Sequence, residues 1–202
     1  MMSLLADEDK DIARKSFRFE KYIHRLQKFS MAIEASRVPV IAVVGGYAIG
    51  GAVDLLLACD IVVASEDAIF TIKEVMIGMA ADLGTLQRLP LVSGNHSLMK
   101  ELALTGRNFS AKEAKEVGLL HHILPTKADA EAKAHKLALD IAKNSPVAVN
   151  GTKRFLNEFR NKVVKEGLRS IRLHNKSALN TVDTNAAFLA FLEKTTALYP
   201  KL

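Results

Sequence analysis

The sequence predicts an α/β fold, a small parallel sheet followed by a long helical C-terminal region. Three observations carry this reading. Residues 40–44 and 61–64 are short, wholly apolar runs of the kind that forms strands buried on both faces. Between them Gly50-Gly51 open a short helix, so strand, helix and strand follow as a right-handed crossover unit. Beyond Gly84 the chain reads as mostly helical.

The elements follow in order. Residues 10–35 read as an amphipathic helix, with Phe19, Ile23, Leu26 and Ile33 on one face among lysines and arginines. Pro39 ends it, and the first strand, residues 40–44, is bounded by Gly45-Gly46. The helix after Gly51 carries Asp54, Leu55 and Ala58 to Asp60. A third short strand is expected at residues 68–72. Ser110-Ala111-Lys112-Glu113 is a capping box, and Gly118 suits a helix stop. Residues 129–143 form another amphipathic helix. Ser145-Pro146 starts the next as N-cap and first residue, and two or three more helices fill residues 150–197.

Composition narrows the class. A chain of 202 residues can bury one sizeable core. No apolar run reaches membrane-spanning length, because Asp54 and Asp60 interrupt the longest candidate. The single cysteine, Cys59, allows no internal disulfide and reads as a small core residue. The net charge of +6 comes from 28 basic and 22 acidic residues that are scattered along the chain. That pattern fits a solvated surface better than a nucleic-acid or lipid site. Residues 1–10 are acidic and lack a basic flank before an apolar core, which argues against a secretory or transit peptide. Pro200-Lys201-Leu202 stands one residue away from the Ser-Lys-Leu peroxisomal address.

The chemistry concentrates in Gly45-Gly46-Tyr47-Ala48-Ile49-Gly50-Gly51-Ala52-Val53-Asp54, followed by Glu74 and Asp82. A helix start leaves backbone N–H groups without intrahelical partners, and absent side chains let a substrate oxygen approach them. This is the recipe for an oxyanion hole or a phosphate site, although close strand–helix packing alone also asks for glycine. The spacing fits neither the dinucleotide fingerprint nor the Walker loop. Asp54 gains from a nearby helix N-terminus, but Val53 and residues 55–57 place it on a buried face. Glu74 has Lys73 beside it for a surface ion pair, and Asp82 lies in apolar sequence. Carboxylates crowded in an apolar pocket raise one another's pKa and can move protons near neutral pH.

These residues carry a resemblance. Residues 39–54, from Pro39 through the glycine turn to Asp54, then Ala58-Cys59-Asp60-Ile61, resemble the signature of the crotonase, or enoyl-CoA hydratase/isomerase, superfamily. Residues 73–75 and 78–90 narrow the match, since an acid at Asp82 resembles the Δ3,5-Δ2,4-dienoyl-CoA isomerases, where hydratases usually carry glycine. The likeness runs from about Asp11 to the C-terminus. It implies a spiral core of ββα units and C-terminal helices that assemble trimers pairing into hexamers. The partial core would span 1–125 and the helical trimerisation region 126–202.

The resemblance also implies roles. Gly51, with Gly50 beside it, would offer an oxyanion N–H to a thioester oxygen. Glu74 and Asp82 would be the acid/base pair, with Asp54 assisting. The substrate would be an acyl-CoA, with no metal and no redox cofactor, no nucleic-acid partner and no membrane partner. The implied activity is isomerisation of 3,5-dienoyl-CoA to 2,4-dienoyl-CoA in fatty-acid β-oxidation. A 2-enoyl-CoA hydratase and a non-catalytic binding member of the family are the alternatives. The compartment would be the peroxisome, or alternatively the mitochondrion. Two departures stand out. Ala52 replaces a glycine, and the chain starts late against the family pattern. A truncated core lacking the second oxyanion donor would lose roughly 10²–10³ in rate.

Other polar candidates carry less. His121-His122 lacks a cysteine or acid at ligand spacing. Lys153, Arg154, Arg160 and Lys162 are expected on a solvated helix face, with CoA phosphates as the functional alternative. The stripe Ala186, Phe188, Leu189, Phe191 and Leu192 reads as helix core or subunit contact.

Overall fold

The computed structural model describes residues 11–199. Helix α1 spans Ile12–Ala35 and is capped by Asp11, whose carboxylate accepts from the Arg14 N–H at 3.1 Å. Phe19 and Ile23 anchor its inner face, as expected. Further along, that face buries Gln27, Ser30 and Glu34, while Leu26 and Ile33 are only half-buried. The second half of α1 lies over a loop and a guanidinium, which need polar partners.

Among the described residues six strands form two three-stranded sheets. One holds β1 (Ile41–Val44), β3 (Ile61–Ser65) and β6 (His122–Leu124), all parallel, in the order β1-β3-β6. The other holds β2 (Tyr47–Ile49), β4 (Ile69–Thr71) and β5 (Phe109–Ser110), with β2 and β4 parallel and β5 antiparallel. The chain lays one strand in each sheet in turn: β1 then β2, β3 then β4, β5 then β6. β1, β3 and β4 lie at the expected apolar runs, whereas β2 lies within the expected turn and β5 and β6 are strands not expected from the sequence. Strands of two or three residues show no period and exist only through their partners.

Between the strands run α2 (Gly51–Leu56), a 3₁₀ turn (Glu74–Ile77), α3 (Thr85–Val92), α4 (His96–Thr105) and α5 (Ala111–Glu116). The capping box at Ser110 and Glu113 forms as read. Phe70 and Phe109 stack at 5.7 Å between ring centroids inside the main core. Each such fully buried ring contributes about 2 kcal/mol by area. Helix α6 (Lys127–Ala142) lies beyond residue 125 and packs Ala130 and Ala134 on Val63 of the first sheet. Cys59 is half-buried, its thiol donating to the Leu55 carbonyl at 3.3 Å, and burial pushes its pKa up.

Helix α7 is one element, Pro146–Ala178, of 33 residues. This corrects the expectation of several helices after residue 150. No proline interrupts the stretch, and Lys153, Val164, Leu168 and Asn175 hold one buried face against α1 and α3. The basic cluster is also corrected. Lys153 is buried, its ammonium 2.7 Å from Asp60 and 2.9 Å from the Val38 carbonyl. Arg160 binds Glu34 at 3.1 Å, whereas Arg154 and Lys162 are exposed.

Helix α8 (Val182–Glu193) buries Thr184, Ala187 and Ala190 against the 3₁₀ turn. It leaves Leu189, Phe191 and Leu192 more than half exposed. Among the described residues no helix is long and apolar enough to cross a membrane. The Pro200-Lys201-Leu202 motif lies outside them.

Candidate active site

Strand β2 delivers Gly50 and Gly51 to the start of α2. Gly50 adopts φ +56°, and a Cβ there would come within 3.0 Å of the Glu74 carboxylate oxygen Oε1. Its N–H donates to the Thr71 carbonyl at 2.8 Å, tying β2 to β4. The Gly50 N–H is therefore committed to the sheet. Gly50 supplies space beside a carboxylate, and Gly51 opens the helix with an N–H that no group among the described residues accepts.

One turn into α2, Asp54 is fully buried. Its Oδ1 accepts from the Thr85 N–H at 2.6 Å, and its Oδ2 has no partner among the described residues. Burial pushes its pKa up to about 6; the Thr85 bonds oppose the rise, and the Asp82 charge adds to it. Glu74 opens the 3₁₀ turn after β4, is 9% exposed, and its Oε2 has no partner among the described residues. Burial, then the Asp54 charge, pushes its pKa up to about 7. Burial also raises Asp82, while a hydrogen bond from Asn175 lowers it.

The structure therefore brings all three carboxylates within electrostatic reach of one another. Glu74 and Asp82 line a cavity of about 210 Å³ with Tyr22, Ile23 and Leu179. Glu74 also borders a groove of about 510 Å³ walled by Ile72, Met79, Ala80 and Ala103. Asp54 borders neither space and stands behind the other two. An apolar pocket with two cavity-facing carboxyls, one titrating near neutrality, can accept and return a proton.

The loop carrying Asp82 is held from α1 and α3. Gln27 Nε2 donates to the Asp82 carbonyl at 2.8 Å, and the Ser30 hydroxyl donates to the Leu83 carbonyl at 2.8 Å. Arg88, fully buried, donates to the Leu83 carbonyl at 3.1 Å and binds Glu34 through two bonds of 2.8 Å. Gly84, at φ +139°, leaves room for that guanidinium: a Cβ would sit 1.4 Å from Nη1.

Gln27, Glu34, Thr85, Arg88 and Asn175 carry no role expected from the sequence. A signal existed for the first two, which recur at helical spacing on the face begun by Phe19 and Ile23. None existed for Asn175, which meets Asp82 across 93 residues. Among the described residues no group of three or more His, Cys, Asp or Glu is placed to hold a metal ion. His121 and His122 instead join β6 to β3.

Comparison with known proteins adds an independent line. The family described as enoyl-CoA hydratase/isomerase matches residues 8–201. The rat mitochondrial Δ(3,5)-Δ(2,4)-dienoyl-CoA isomerase is 45% identical over 184 residues, which cover 91% of this chain and 56% of that protein. The Arabidopsis thaliana peroxisomal Δ(3,5)-Δ(2,4)-dienoyl-CoA isomerase is 41% identical over 201 residues, 100% of this chain and 72% of that one. The chain thus spans little more than half the length of the rat relative. The solved structure of an enoyl-CoA hydratase from Mycobacterium avium subsp. paratuberculosis shares the fold at TM-score 0.82 and 27% identity, over 91% of this chain and 74% of that one.

Proposed function

The chain belongs to the enoyl-CoA hydratase/isomerase family, and from that premise we propose that it converts 3,5-dienoyl-CoA to 2,4-dienoyl-CoA in the β-oxidation of unsaturated fatty acids. One observation carries the reading: Glu74 and Asp82 face a common apolar cavity, with Asp54 buried behind them. A single cavity-facing acid suffices to take one proton, whereas moving the diene needs removal at one carbon and delivery four carbons away.

The thioester acidifies the C–H bonds at C2. One carboxylate takes a C2 proton, and the electron pair spreads over the carbonyl oxygen and the diene as a dienolate. The Gly51 N–H supports the oxygen's developing charge. The partner carboxylic acid then delivers a proton to C6, leaving double bonds at C2 and C4. Atoms and charge balance without a metal or redox cofactor. The Asp54 charge helps keep the proton affinity of Glu74 high.

The test is turnover of 3,5-dienoyl-CoA, read as the absorbance of the conjugated 2,4-dienoyl thioester at unchanged mass. Glu74→Gln and Asp82→Asn are each expected to lower kcat by about 10²–10⁴. Full activity in both variants would sink the assignment. The names of solved relatives favour hydration as the second reading, and a product heavier by one water would establish it. We place the protein in the peroxisome or mitochondrion, the compartments named for its relatives, and expect a trimer or hexamer.

A further inference from the structure

We propose that Asn175 is a positioning residue that fixes the Asp82 carboxylate in one orientation and favours its anionic form. The proposal deepens the isomerase reading, on which it rests for what Asp82 does; how Asp82 is held rests on geometry alone.

Asn175 lies in the last turn of α7 and is fully buried. Its Nδ2 donates to Asp82 Oδ2 at 2.8 Å and to the Ala80 carbonyl at 2.8 Å. The second bond decides the orientation of the amide. A backbone carbonyl only accepts, so a rotated amide would set two acceptor oxygens 2.8 Å apart. Asn175 therefore presents Asp82 with an N–H and never with an oxygen. A donor favours the ionised carboxylate, and a proton on Oδ2 would point at that N–H. Asn175 Oδ1 is buried with no partner among the described residues. The side chain is held in place for its donor even though its acceptor goes unsatisfied, a costly arrangement in a core.

The surroundings make this bond matter. The like charge of Asp82 raises the proton affinity of both Asp54 on α2 and Glu74 on the 3₁₀ turn, so the state of Asp82 bears on the whole cluster. Arg88 on α3 is committed to Glu34. From α1, Gln27 donates to the Asp82 carbonyl and not to its carboxylate, while Gln27 Oε1 accepts from Arg172 of α7 at 3.0 Å. Arg172 also contacts His24 at 2.8 Å, and Tyr22 lines the cavity itself. The opposing influences on Asp82 run in the direction the geometry requires, burial upward and Asn175 downward.

The test is a carboxyl ¹³C NMR titration of the whole chain, labelled at aspartate and glutamate and assigned with Asp82→Asn and Glu74→Gln. Asn175→Leu keeps the volume and removes the donor. The Asp82 midpoint is expected to rise by about one to two units, the size of one charge-assisted hydrogen bond. Glu74 should move by less than half of that. In the wild type, the Asn175 side-chain amide protons should titrate with the Asp82 midpoint, a reading that does not depend on the variant folding. An unmoved Asp82 in folded Asn175→Leu, or amide protons indifferent to Asp82, overturns the proposal. Turnover is scored separately. Titrations as expected with no dienoyl-CoA turnover would refute the isomerase reading and leave the Asn175–Asp82 coupling intact. With turnover, the acid limb of the kcat profile should shift upward with Asp82.

Discussion

Gly84→Ala probes how the Asp82 loop is built. The added methyl meets the Arg88 Nη1 position at 1.4 Å, so the guanidinium must leave its seat. Arg88 and Glu34 are 0% and 5% exposed at their side chains, and no solvent waits to receive them. Disrupting a buried pair costs about 3–5 kcal/mol. Alanine at φ +139° adds roughly 1–3 kcal/mol of backbone strain. The expected loss is therefore about 4 kcal/mol or more, equivalent to a fall in Tm of roughly 10 °C for a chain of this size. Urea melts of wild type, Gly84→Ala, Arg88→Met and the double variant form a cycle that isolates the clash. In Arg88→Met, Glu34 keeps Arg160 at 3.1 Å. Against that background Gly84→Ala should cost only the backbone strain, giving a coupling of about 3–5 kcal/mol, the pair term itself. Equal costs of Gly84→Ala in both backgrounds would refute the steric argument, and a Gly84→Ala protein within 1 kcal/mol of wild type would refute the whole account.

Three further outcomes follow. Asp54 and Glu74 have folded pKa values raised to about 6 and about 7, so their protonated forms favour the fold. That stability is complete below their unfolded values and is lost as pH rises from about 4 through about 7. Asp54→Asn with Glu74→Gln should flatten this decline in urea melts, and an unchanged slope would contradict the burial argument. Lys153→Met strands Asp60 and should cost about 3 kcal/mol, while Arg154→Ala and Lys162→Ala should stay within about 0.5 kcal/mol; equal effects would undo the distinction. Phe155 and Phe159 on α7 are 69% and 81% exposed, an apolar patch that fits a subunit contact. Light scattering at micromolar concentration should find an oligomer that Phe155→Ser/Phe159→Ser weakens, and a soluble wild-type monomer would contradict this.

The sequence by itself determined the parts that depend on neighbours along the chain. The apolar runs at β1 and β3, the capping box at Ser110 and the helix start at Pro146 follow from local sterics and local hydrogen bonds. The glycine turn and the three acids in apolar sequence were legible because charge in such surroundings is costly without a reason. Tertiary structure decided the rest. Strands as short as β2, β5 and β6 have too few residues to show a period and exist through pairing across the sheets. The basic residues of α7 read as one solvated face, yet packing against α1 buried Lys153 beside Asp60 and turned Arg160 to Glu34. The glycine turn showed helix-start N–H groups, but only sheet pairing decided that the Gly50 N–H goes to Thr71. Asn175 had no sequence signal at all, because its bond to Asp82 joins residues 93 apart and arises only when α7 folds back over the site.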